Sequence, residues 1–98
     1  MLLIVIQTTE GGLRIDGHAG YAKTGNDIVC AAVSALAQGL AHSLEVLTDD
    51  PVSCRISEGH MEILYGSLSE AGKLLTGSFF IAVRDIQATY GEDYVRIC

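Results

Sequence analysis

The stretch Gly17-His18-Ala19-Gly20-Tyr21-Ala22-Lys23-Thr24-Gly25-Asn26-Asp27-Ile28-Val29-Cys30-Ala31-Ala32-Val33-Ser34-Ala35-Leu36 holds the change of period that decides the fold. Up to it, side chains alternate as in a strand: Leu13, Ile15, Gly17 and Ala19 fall on one face, Arg14, Asp16 and His18 on the other. After it, Val29, Val33, Leu36, Leu40, Leu44 and Leu47 recur at helical spacing and form a core stripe. Residues 20 to 26, between the two, are rich in turn formers and read as a polar loop that can act as a flap. The helix is expected from residue 27 or 28 to 47. Asp27 can be its N-cap, or Thr24 can cap with Asp27 three residues on.

Cys30 then lies in the first turn or two of that helix, where the partial positive charge of the N-terminus favours a thiolate. Asp27 pulls the other way, because a carboxylate disfavours a second negative charge nearby; its expected use is to hold the loop or orient a histidine. A connection this short can bring His18, at the strand end, within reach of the thiol. Ser34 follows Cys30 by four residues and shares its helix face.

Upstream, residues 2 to 6 are apolar but too short for a signal core or a membrane span, and read as a buried strand. Glu10-Gly11-Gly12 is a hairpin signal that joins this strand (residues 2 to 9) to the one ending at His18. Downstream, Thr48-Asp49-Asp50-Pro51 stops the helix. Val52, Cys54 and Ile56 alternate inward, which makes Cys54 an expected core residue. Glu58-Gly59 is a tight turn, and Met61, Ile63 and Tyr65 then alternate with His60, Glu62 and Leu64. Ser67 and Glu70 have capping-box spacing. Ala71, Leu75, Phe79, Ala82, Val83, Ile86 and Tyr90 keep helical period to Gly91. Gly72 and Gly77 either weaken this helix or allow close packing. Residues 94 to 98 read as a short final strand, at the edge or the centre of the sheet. The order ββαββαβ implies an α+β fold, a largely antiparallel sheet with two packed helices, in one domain spanning residues 1–98.

Ninety-eight residues, 49% of them hydrophobic, suffice for one modest core, and a domain this small is a plausible dimer. A net charge of -6 argues against nucleic acid as a partner. The odd count of three cysteines suggests no disulfide framework and a reducing, cytoplasmic setting. No paired spacing of zinc-ligand type occurs, and no phosphate loop or dinucleotide fingerprint. No metal, cofactor or membrane is therefore expected.

The chemistry these residues fit is that of a cysteine hydrolase. Cys30 attacks a peptide carbonyl as thiolate, and His18 pairs with it and protonates the leaving amine. Amides at the helix start are candidate oxyanion donors. Asp16, two residues from His18 on the same strand face, or Asp27, from the loop, can be a third member; a Cys-His dyad is also adequate. The alternative is a non-catalytic ribosome-associated binding module, in which Cys30 is a replaceable packing residue.

Gly17-His18-Ala19-Gly20-Tyr21-Ala22, then Gly25, then the run from Asp27 through Cys30 and Ser34 to Leu36, closely resembles the ribosomal-processing cysteine protease Prp family. The match is dense over about twenty residues, and the order of strands and helices agrees over essentially the whole chain. The resemblance implies a small, cytoplasmic, homodimeric endopeptidase of Firmicutes-like bacteria. Its substrate would be the short N-terminal extension of a large-subunit ribosomal protein. By position, His18 and Cys30 match the family's catalytic pair. Gly17, Gly20, Asp27 and Ser34 fall in the motif as supporting or substrate-binding positions, and residues 20 to 26 match its mobile loop.

Overall fold

A computed structural model describes residues 3–17 and 27–98. Its elements run β1 (Ile4–Thr9), β2 (Gly12–Asp16), α1 (Ile28–Leu47), β3 (Ser53–Ser57), β4 (His60–Leu64), α2 (Glu70–Tyr90) and β5 (Val95–Ile97), which is the expected order. The five strands form one sheet in the order β3-β4-β2-β1-β5. All neighbours are antiparallel except β1 and β5, which are parallel and place the last strand at an edge.

Cross-strand partners point to the same side of a sheet, so the register identifies the inward face. Ile6 pairs with Ile15 and Ile15 with Met61; Leu13 pairs with Ile63, and Ile4 with Val95. All of these are buried, together with Val29, Val33, Ala37, Leu40 and Leu44 of α1 and Phe79 and Val83 of α2. The two helices pack against each other over that face, giving two layers around one core. By length and composition alone α1 is apolar enough to cross a bilayer; here its buried stripe belongs to this core. Leu47, expected at the end of that stripe, is 65% exposed, because the helix has by then run past the region that covers it. Leu44 is fully enclosed. Leu44→Ala is expected to cost about 2–5 kcal/mol and to lower Tm by roughly 8 °C or more; a thermal melt showing no change would remove Leu44 from the core.

Two expectations are corrected. Cys54 is exposed, not a core residue, and so is Ile56. Both do stand on the inward face, since Cys54 pairs with buried Ile63 and Ile56 with buried Met61. But β3 is the outer strand, and every one of its residues is exposed. Alternation tells which side a residue faces; it does not tell whether a helix reaches far enough to cover it. Second, α2 is capped by Ser69 rather than Ser67: the Ser69 side chain accepts the Gly72 N–H at 3.1 Å. Asp50 competes with local spacing here, accepting the Ser69 N–H at 3.1 Å and the Ser69 hydroxyl at 2.8 Å. This ties the α1–β3 connection to the start of α2. It also explains Gly72, where a Cβ would meet the Asp50 carboxylate at 2.3 Å.

Candidate active site

Cys30 occupies the first turn of α1. Asp27 is the N-cap of that helix, with extended backbone (φ -78°, ψ 98°), and its Oδ1 accepts the Cys30 N–H at 2.9 Å. The Asp27 carbonyl accepts the Ala31 N–H at 3.1 Å. Of the two possible caps, Asp27 is therefore the one used. The cap fixes the backbone beneath the sulfur, because the residue it grips is the cysteine itself. It also bears on oxyanion stabilisation: the amides of Cys30 and Ala31, the two next to the sulfur in the chain, are already engaged within the helix start.

Cys30 is half-buried and packs against the core. It lies on the wall of a cleft of about 130 Å³, with Ser34 and Ala37 on the same side. Their spacing of four and then three residues keeps them on one helix face. Ile15 and Met61 of the sheet contribute to the cleft, as do Ile56 of the outer strand and the β3–β4 turn at Gly59. The structure thus brings Cys30, Ser34 and Gly17 of the motif to one cleft. His18 and Gly20 lie outside the described residues, as does the loop from 20 to 26.

Gly17 follows β2 directly. Its N–H donates to the Gly59 carbonyl at 2.7 Å, and its φ of +95° belongs to the region that favours glycine. A Cβ at this position would lie 2.2 Å from the Leu3 carbonyl oxygen. The end of β2 that leads into His18 is thus held between the β3–β4 turn and the start of β1.

Asp16, one candidate for a third catalytic member, has other partners. Its Oδ1 contacts His60 Nδ1, its cross-strand neighbour. Its Oδ2 lies 3.2 Å from Arg14 Nε, an ionic contact without hydrogen-bond alignment. The same guanidinium donates to Gln7 Oε1 at 2.8 Å. This chain of partly exposed polar groups crosses three strands on the face away from the helices. Each exposed pair contributes little, on the order of 0–1 kcal/mol. The His60 partnership was not anticipated from sequence, although it is implied once β2 and β4 are aligned, since the register places Asp16 opposite His60.

Of the other thiols, Cys54 and Cys98 are exposed and lie outside this cleft. Partial burial pushes the Cys54 thiol up from its usual value, which disfavours its thiolate. Among the described residues, no group of three or more His, Cys, Asp or Glu gathers in a way that would hold a metal ion.

Comparison with known proteins identifies the family and the fold. The ribosomal processing cysteine protease Prp of Staphylococcus aureus is 27% identical over 82 residues, covering 81% of this chain and 77% of the relative. The crystal structure of an essential ribosomal processing protease Prp from S. aureus, in complex with a covalently linked product peptide, superposes with a TM-score of 0.84 at 23% identity, covering 99% of this chain and 97% of that one. The structure of SMU.848 from Streptococcus mutans superposes with a TM-score of 0.77 at 30% identity, over 99% and 91% of the two chains. The model of the cysteine protease Prp family matches residues 2–96, so this chain, with its capped cysteine on the wall of a cleft, belongs to that family of cysteine-type peptidases.

Proposed function

We propose that this chain is an endopeptidase that removes the short N-terminal extension of a large-subunit bacterial ribosomal protein, with Cys30 as nucleophile and His18 as general base and acid. The Cys30 thiolate attacks the scissile carbonyl carbon, and the carbonyl electron pair moves onto oxygen. The oxyanion collapses, the C–N bond breaks, and the imidazolium of His18 gives its proton to the departing amine. A water then attacks the thioester as His18 takes up its proton. The acid leaves, and the thiolate is restored.

The observation that carries this reading is the position of Cys30: first turn of α1, backbone gripped by the Asp27 cap, side chain on the wall of the cleft. Asp27 and Gly17 act through geometry, one fixing the nucleophile's backbone and the other the strand end beside His18. Ser34 supports the thiol from one turn further along, and Gly20 is a further supporting or substrate-binding position. The enzyme works in the cytoplasm as a homodimer, with no cofactor. An S. aureus Prp crystallised with a substrate peptide, which shares this fold, is consistent with a peptide as the ligand.

The test is incubation with a synthetic peptide spanning such an extension, with products identified by mass. Wild type should yield a single cut, and His18→Ala should lower kcat/KM by at least about 100-fold. Equal rates for His18→Ala and wild type would remove His18 from the mechanism.

A further inference from the structure

β2 ends at Asp16, β4 begins at His60 and β3 ends at Ser57. The register sets the three side by side, Asp16 against His60 and His60 against Ser57. Two contacts hold the first of these pairs. His60 Nδ1 lies against Asp16 Oδ1; an ionised carboxylate only accepts, so Nδ1 carries the proton and donates. One residue further, the Gly17 N–H donates to the Gly59 carbonyl at 2.7 Å, beyond the last regular pair of the two strands. Gly17, Ser57, Gly59 and His60 all border the cleft that holds Cys30. Strand ends are where a sheet opens most easily, and a displacement of about 1 Å near reacting groups can cost about 100-fold in rate. The Asp16–His60 contact therefore sits where movement matters most to catalysis. Its contribution to the fold is small, because both side chains are more than a third exposed, Asp16 at 42% and His60 at 38%.

We infer that His60 is a positioning residue: through Asp16 it clasps the end of β2 to β4, and so fixes the point at which the chain leaves the sheet toward His18. This rests on the reading of Cys30 and His18 as nucleophile and base. In this role His60 touches neither the peptide nor the thiol, so it governs the chemical step rather than peptide binding. Replacing Asp16 would also release Arg14, whose Nε lies 3.2 Å from it; replacing His60 leaves that contact in place. In an asparagine the side-chain amide nitrogen takes the place of Nδ1 as donor, whereas alanine offers none.

The experiment compares wild type, His60→Ala, His60→Asn and His18→Ala on a synthetic peptide spanning the ribosomal-protein extension, with kcat and KM separated. The rate of Cys30 alkylation by iodoacetamide at neutral pH is followed in parallel by peptide mapping. His60→Ala should lower kcat by about tenfold with KM within about twofold of wild type. It should also slow alkylation several-fold, because a displaced imidazole stabilises the thiolate less. His60→Asn should recover kcat to within about threefold of wild type, and Tm should move by less than about 3 °C in both variants. A wild-type kcat in His60→Ala overturns the assignment. So does a raised KM at unchanged kcat, which would mean that His60 meets the peptide, and so does a failure of His60→Asn to recover kcat. A loss of kcat with a large fall in Tm also overturns it, since the role would then be structural. Should wild type leave the peptide uncut, the substrate reading falls, and equal alkylation rates for wild type and His60→Ala would then overturn the assignment. Cleavage by His18→Ala at the wild-type rate would overturn instead the reading on which the assignment rests.

Discussion

Cys30→Ala should abolish peptide cleavage, by at least about 10⁴-fold in kcat, while the fold survives nearly unchanged. The second half of this expectation follows from how the residue is held. The hydrogen bond that caps α1 is made by the backbone N–H of Cys30 to Asp27, not by the thiol, so an alanine keeps it. The side chain is half-buried at the rim of the core, and replacing a thiol by a hydrogen there belongs with ordinary substitutions of about 1 kcal/mol or less. Circular dichroism and Tm would thus remain close to wild type while product formation disappears. Iodoacetamide with peptide mapping supplies an internal control: Cys54 and Cys98 remain to be labelled in the variant, and only the Cys30 peptide loses its adduct. Residual cleavage at the wild-type rate would mean that another group is the nucleophile.

Gly17→Ala should be the most damaging single methyl addition near the site. Two independent costs meet there. A residue with a side chain is strained at φ +95°, on the order of 1–3 kcal/mol. The added carbon would also sit 2.2 Å from the Leu3 carbonyl oxygen, and backbone yields less readily than a side-chain tip, so relief requires moving β1 or releasing the Gly17–Gly59 hydrogen bond. Overpacking of this kind costs about 1–3 kcal/mol. Together roughly 3 kcal/mol is expected, a large part of the about 5–15 kcal/mol that keeps a domain folded. Tm should fall by more than about 10 °C. Activity should also fall below what the remaining folded fraction explains, because the strand end preceding His18 has been displaced. A variant with wild-type Tm and wild-type kcat/KM would show that neither contact matters.

The elements were readable because their periods are clean. The stripe from Val29 through Val33 and Leu40 to Leu44 announces α1, and Asp27 announces its start within one residue. The hairpin glycines locate the turns between β1 and β2 and between β3 and β4. What was not readable depends on partners remote in sequence. Cys54 and Ile56 have the right alternation for a core strand, yet the order β3-β4-β2-β1-β5 puts them at the margin, and no local pattern encodes strand order. The cap of α2 moved from Ser67 to Ser69 because Asp50, nineteen residues before Ser69, holds that serine. Asp16 is two residues from His18 in sequence, and its contact with His60, forty-four residues away, is set only by the alignment of β2 with β4. In the candidate site, the thiol and its cap were local and legible; the cleft, which needs β2, α1, β3 and β4 together, was not.

The parallel pairing of β1 with β5 sets the order in which the chain can mature. Ile4 aligns with Val95, so the first strand obtains its second neighbour only from the far end of the polypeptide. Closing so wide a loop is slow relative to forming the two hairpins and the helices, whose contacts are local. While the chain is being synthesised, one long edge of the apolar segment Ile4-Val5-Ile6 stays without its partner until Val95 to Ile97 emerge. Unpaired apolar edges of this kind promote association with other chains. The open edge of β1 is therefore closed late, by the docking of three residues, Val95 to Ile97.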